Sequence, residues 1–307
     1  MKYLNLIRWK NLLMIALVQI LIKYALFNPF VKTTNLEITL NWFGFSLLVL
    51  ATICLAAAGN IINDIYDLDT DTVNKPNKVL IGKTISEKSA YNLFIVFNVI
   101  GVGIGFYLSN LIGRSGFSAL FIIVSALLYL YASYLKQMLI VGNVVISLLV
   151  AFSIIIVGLY ELLPAITPEN QPTQSTFFQI LRDYAAFAFL INLIREIAKD
   201  IEDVDGDYKS GMNTLPIAIG RERAGKILFI LLFLPIAAVC YYVLENLYKH
   251  QPAVVYFLIL VVGPLIHACI KAFSAKTKKD FHFISQELKL VMLFGMLSLI
   301  LYQYILI

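Results

Sequence analysis

With 307 residues, 60% of them hydrophobic and only 14% charged, this chain reaches a mean hydropathy of +0.83. A soluble domain of that size could not hide so much apolar surface, whereas a polytopic membrane protein uses lipid as its solvent. The net charge of +5 calls for no nucleic-acid partner, because basic loops beside anionic lipid account for it.

Apolar stretches of about 20 residues recur nine times, near 11–29, 42–62, 91–112, 116–134, 139–160, 176–198, 226–246, 253–272 and 287–306. The predicted fold is an all-α bundle of nine transmembrane helices forming a single domain over 1–307. Basic residues precede the first stretch, but no small-residue cleavage site follows it, so it is expected to stay as a helix. Lys23 lies inside it, where it should snorkel or face a cavity. The sixth carries Arg182, Asp183, Arg195 and Glu196. The seventh contains Pro235, which a membrane helix tolerates as a kink. Residues 161–175, rich in Pro and Gln, read as a loop. With the N-terminus placed in the cytoplasm, eighteen of the 24 Lys and Arg fall on that side. Only Lys32, Arg114, Arg182 and Lys249 fall on the other, which is the expected bias. Cys54, Cys240 and Cys269 all sit in apolar stretches and read as packing thiols, and the three histidines show no metal spacing.

Two polar stretches break this pattern. The second span ends in NIINDIYDLDTD, residues 60–71. At about 100° per residue, Asn60, Asn63, Asp64, Asp67 and Asp71 share one arc of a continued helix, with Asp69 opposite. The sixth span ends in REIAKDIEDVDGDYKSGMNTLP, residues 195–216. There Asp200, Asp203 and Asp207 repeat the i, i+3, i+7 spacing of Asp64, Asp67 and Asp71. Asn192 and Glu196 extend that face, and Gly206 is expected to loosen the helix near its end. Carboxylates so close repel one another unless a cation or a proton neutralises them, and hard oxygen donors suit Mg²⁺ or Ca²⁺. The natural ligand of two facing acidic helix ends is an anion that arrives with metal, such as a diphosphate.

Either cluster alone could be solvated charge. A calcium loop fails in both places, because Thr72 and Lys78, then Tyr208 and Thr214, stand where Gly and Glu are required. A cation-coupled transporter is the alternative of another class, but its binding groups would sit at mid-bilayer and not at helix ends.

Asn63-Asp64-x-x-Asp67-x-x-x-Asp71 and Asp200-x-x-Asp203-x-x-x-Asp207 resemble the two aspartate-rich motifs of the UbiA superfamily of intramembrane prenyltransferases. That resemblance implies a nine-helix bundle whose site, near the cytoplasmic face, moves a prenyl group from an allylic diphosphate to an acceptor with Mg²⁺. It implies catalytic roles for the six aspartates, with metal held by Asn63, Asp67, Asp71, Asp200, Asp203 and Asp207. Lys78, in NKPNKVLIGK, stands where the family usually has Arg. LYASYLKQMLIVGN, which resembles the segment between helices four and five, places Tyr131 and Lys136 near the diphosphate, with Asn60 and Lys199 as further diphosphate contacts. Arg8 and Asn11, in IRWKN, resemble an N-terminal Arg-Pro-x-Asn, with Trp9 in place of proline, and join Arg195 and Lys209 as candidate acceptor contacts. The second motif is most similar to the ether-lipid branch, which implies geranylgeranyl diphosphate as donor and geranylgeranylglyceryl phosphate as acceptor. An aromatic acceptor, 4-hydroxybenzoate or a naphthoate, is the second reading. The location expected is the cytoplasmic membrane, with the site toward the cytoplasm.

Overall fold

The computed structural model describes residues 1–77 and 79–305, and no strand occurs among them. Nine helices in it are long and apolar enough to cross a membrane: Trp9–Val31, Trp42–Tyr66, Glu87–Leu111, Ser115–Ser133, Val141–Ala165, Gln171–Lys209, Arg221–Leu247, Gln251–Ser274 and Lys278–Ile305. Each of the nine apolar stretches becomes one of these helices. Leu306, where the ninth was expected to end, lies outside the described residues.

Local chemistry sets the helix ends. Asn41 accepts from the Gly44 amide at 2.8 Å and opens the second span. Thr277 and Asp280 form a reciprocal capping box at the start of the ninth, the arrangement that satisfies two otherwise unpaired amides. The expected loop at 161–175 is mostly helical: the fifth span runs to Ala165 and the sixth starts at Gln171, with Pro172 in its first turn, where the missing N–H costs nothing. In the seventh span the helix breaks at Leu232, three residues before Pro235, as expected of a proline that removes a backbone donor.

The sixth helix organises the bundle. At ~1.5 Å per residue its 39 residues extend about 58 Å, more than the roughly 45 Å of a whole bilayer. Phe177, Ile180 and Leu181 pack into a core shared with the first, second and fifth spans. Ile191, Ile194 and Ile201 pack into a second core built from the seventh to ninth spans. The C-terminal turns, which carry the second acidic motif, stay helical beyond the apolar stretch.

Lys23 neither snorkels nor faces a cavity. It is 3% exposed and donates to Glu161 Oε1 at 2.6 Å and to the Leu40 carbonyl at 2.5 Å. Its ammonium lies 5.3 Å from the centre of the Phe45 ring. Glu161 Oε2 accepts from the Leu40 amide at 3.0 Å. The pair joins the end of the first span to the end of the fifth, and the intervening segment is pinned to both.

Candidate active site

The second span stops at Tyr66, and a short helix, Leu68–Asn74, follows a single non-helical residue, Asp67 (φ −92°, ψ 6°). The first motif is therefore not one continuous helix face: Asn63 and Asp64 sit above the break, and Asp71 sits below it. Backbone bonds from the Asp67 amide to Asn63 and from the Asp71 amide to Asp67 still keep the carboxylates on one side. Asp69 is exposed and points away, as the spacing indicated.

The second motif departs from expectation in the other direction. Gly206 does not loosen the sixth helix, which continues to Lys209. A side chain at 206 would place its Cβ 2.4 Å from the Asn74 Nδ2. Glycine there lets Asn74 clasp the helix: its Oδ1 accepts from the Gly206 amide at 2.9 Å, and its Nδ2 donates to the Asp203 carbonyl at 2.8 Å. Lys75 pairs with Asp203, and Thr70 meets Ser210 at 2.7 Å. The helix that follows the first motif is thus fastened along the end of the second, and the two acidic clusters share one site.

Cations stand among the carboxylates. Lys136 Nζ is 2.5 Å from Asp67 Oδ1, with its side chain 8% exposed. Its position depends on Gly142, where a Cβ would lie 2.6 Å from the Lys136 Cα, and on Ile140, held at φ 54°. A branched residue in that region costs on the order of 1–3 kcal/mol, so surrounding packing has to impose it. Arg8, the other non-glycine residue with positive φ (53°), donates to Asp64 at 2.6 Å. Asp64 beside it holds the Arg8 guanidinium still further above its ordinary range. Burial works against the Lys75 ammonium, but the charge and hydrogen bond of Asp203 together with the charges of Glu202 and Asp71 outweigh it and leave the group raised. Burial, and after it the charge of Asp67, pushes the Asp71 carboxyl upward.

The other candidates divide as follows. Asp200 accepts from Asn143 at 2.7 Å, and Asn192 reaches Ser147 at 3.1 Å, so the fifth span lines the cleft. Asp207 is 6% exposed. Asn63 donates to Asp67 Oδ2 at 2.6 Å. Tyr131 is half-buried two residues from the end of the fourth span. Asn60 instead donates to the Ile7 carbonyl at 3.0 Å and ties down the N-terminal segment. Glu196 accepts from both Arg195, at 3.1 Å, and Lys199, at 2.7 Å. Asn11 accepts from Lys289 at 2.6 Å. Lys209 is exposed on the last residue of its helix. Lys78 lies outside the described residues. Asn74, Lys75, Asn143 and Lys289 were not singled out as site residues. Lys289 had a legible signal, a cation inside an apolar stretch, which marks a functional position by default.

Among the described residues no three His, Cys, Asp or Glu side chains converge as a ready-made metal cage. The donor set nevertheless fits Mg²⁺, which is held by one or two carboxylates and completed by waters and substrate phosphates. Asp203 Oδ1 is buried without a hydrogen-bond partner, with the Lys278 ammonium 3.6 Å away. Six carboxylates face four paired cations, Arg8, Lys75, Lys136 and, at 3.6 Å, Lys278. The second motif also sits at the C-terminus of the sixth helix, and Asp64 in the last turn of the second, where helix dipoles add negative potential.

The profile of the UbiA prenyltransferase family matches residues 36–304. The digeranylgeranylglyceryl phosphate synthase of Methanococcoides burtonii is 30% identical over 301 residues, covering 97% of this chain and 98% of that protein. Among solved structures, a UbiA homolog from Aeropyrum pernix K1 superposes with a TM-score of 0.70 at 14% identity, covering 96% of this chain and 98% of that one. A UbiA homolog from Archaeoglobus fulgidus, solved with DMAPP and Mg²⁺ bound, gives a TM-score of 0.58 at 17% identity, covering 98% and 99%. With a match over most of its length, nine membrane-crossing helices and two clasped acidic helix ends, the chain belongs to the UbiA prenyltransferase family and is an integral, multi-pass membrane prenyltransferase.

Proposed function

We propose that this enzyme uses Mg²⁺ to transfer a geranylgeranyl group from geranylgeranyl diphosphate to geranylgeranylglyceryl phosphate, forming an ether lipid. The observation that carries the reaction class is the excess of carboxylates over cations where the two motifs meet, a site matched to a metal-accompanied anion. The Mg²⁺ and allylic diphosphate bound to the Archaeoglobus homolog support the same class. The acceptor rests on the name of the Methanococcoides relative. The whole chain acts as one domain, in the cytoplasmic membrane, with the site toward the cytoplasm, a reading supported by the distribution of Lys and Arg.

Breaking an allylic C–O bond leaves a delocalised cation and a diphosphate. Mg²⁺, when bound, neutralises the charge that develops on the leaving group. Asp67 and Asp71 from one motif and Asp203 and Asp207 from the other would hold metal, with Asn63 and Asp200 beside them and Asp64 keeping Arg8 in place. Lys136 and Lys75 sit at the cleft as fixed donors to phosphate oxygens, and Tyr131 presents its hydroxyl to the same space. The apolar bundle keeps water from the carbocation. A glycerol hydroxyl attacks before losing its proton, so the acceptor needs orientation more than a strong base.

The test offers geranylgeranyl diphosphate with geranylgeranylglyceryl phosphate and with 4-hydroxybenzoate in parallel. An organic-extractable diether formed only from the first acceptor supports the assignment. A prenylated aromatic would move the acceptor to quinone precursors, and no product from either would overturn it.

A further inference from the structure

The sixth and ninth spans run antiparallel and pack closely. Near the acidic site their interface is matched: Glu202 on the sixth meets His282 on the ninth at 3.0 Å. Seven residues is two helical turns, which returns to nearly the same face. Seven residues back from Glu202 is Arg195, and seven onward from His282 is Lys289. One heptad deeper, the same interface therefore opposes two cations.

One acid offsets only part of this. Lys289 donates to the neutral Asn11 side chain at 2.6 Å, and Arg195 and Lys199 share the single carboxylate of Glu196. Three cations against one carboxylate leave two positive charges in a half-buried place, and Arg195 Nε is buried without an acceptor. Unpaired buried charge of this kind is costly unless a ligand completes it. The charge to be completed is that of a phosphate monoester dianion. At ~1.5 Å per residue, Arg195 lies about 7.5 Å along the helix from Asp200, close enough for a short polyol to span the two places.

We propose that Arg195 and Lys289, with Asn11 holding the Lys289 ammonium, form a phosphate-monoester subsite between the first, sixth and ninth spans that anchors the head of a phosphorylated lipid acceptor. This deepens the proposed function and rests on its reading of the acidic site. Lys289 belongs to it, although it lies inside a span and away from both motifs. The subsite orients the acceptor so that its free hydroxyl points toward the allylic carbon, and it rejects the same lipid without its phosphate.

The experiment measures equilibrium binding to the full chain in detergent, by native mass spectrometry, of geranylgeranylglyceryl phosphate, geranylgeranylglycerol and inorganic phosphate. The wild type should prefer the phosphorylated lipid by about tenfold to a hundredfold, the scale of one or two charge-assisted hydrogen bonds, and inorganic phosphate should compete with it. Lys289→Gln and Arg195→Gln should lose that preference while binding the alcohol as before, and Lys289→Arg should keep it. No preference in the wild type, or a preference that survives Lys289→Gln, would overturn the subsite. Binding of inorganic phosphate that the phosphorylated lipid does not displace would overturn the acceptor assignment of these residues. Preferential binding with no transfer to that lipid would contradict the proposed function and leave the subsite standing.

Discussion

The side-chain amide of Asn74 grips the backbone of the sixth helix on both sides of a turn, and Gly206 is the residue whose missing side chain permits it. Through this contact the helix that follows the first motif is held against the second. Alanine at 206 would bring its Cβ within 2.4 Å of the amide nitrogen, so the clasp must open or the helices must part. Gly206→Ala is expected to reduce kcat at least tenfold while leaving the protein folded, and Asn74→Ala should do nearly the same. Because both act on one contact, the double variant should be little worse than either single one. Steady-state rates of the three variants check this.

Lys136 is the buried cation of the first motif, 2.5 Å from Asp67. Removing a preorganised donor to a developing charge typically costs on the order of 10²–10³ in kcat. Lys136→Gln should fall in that range, and Lys136→Arg should recover part of the loss. Rates at saturating donor separate this from a defect in binding.

The four cations paired with motif carboxylates suggest how metal should behave. With no ready-made cage among the described residues, Mg²⁺ alone should bind weakly and a diphosphate should strengthen it at least tenfold. Calorimetric titration of Mg²⁺ with and without a non-hydrolysable prenyl diphosphate analogue measures the difference. Chelation with EDTA should abolish diphosphate release, and added Mg²⁺ should restore it.

Lys23 and Glu161 make a different kind of pair, fully buried and far from either motif. Removing one partner leaves an uncompensated charge, which typically costs about 3–5 kcal/mol. Glu161→Gln and Lys23→Met should each lower the melting temperature clearly, and Lys23→Met combined with Glu161→Leu should recover most of the loss. Melting curves in one detergent compare the three. The folded fraction of each variant should retain transfer activity, because neither side chain reaches the acidic cleft.

Much of this architecture was legible because hydropathy has a length scale. Nine apolar stretches became nine helices, with most ends displaced outward where a helix continues beyond the apolar core, as at Tyr66 and Lys209, while the fifth starts two residues late, at Val141. The paired i, i+3, i+7 aspartates located the site, since that spacing survives the break at Asp67. The break was not legible because no proline or glycine marks it at Asp67, and the role of Gly206 was not because it depends on Asn74, more than 130 residues away in sequence. Glu161 could not be matched to Lys23 for the same reason. Asn60 shares the motif face but turns to the Ile7 carbonyl, a choice that only the packed N-terminal segment decides. Lys289 carried its own signal as a cation within an apolar stretch, but its meaning came from the heptad register shared with Arg195.

The central claim is that the two acidic helix ends form one site that ionises a prenyl diphosphate. Diphosphate release from geranylgeranyl diphosphate, measured with acceptor present in the wild type, Asp67→Asn and Asp203→Asn, tests it most directly. The account predicts Mg²⁺-dependent release in the wild type and a loss of at least about 10²-fold in each variant. Release that continues in either variant, or proceeds in EDTA, would contradict it.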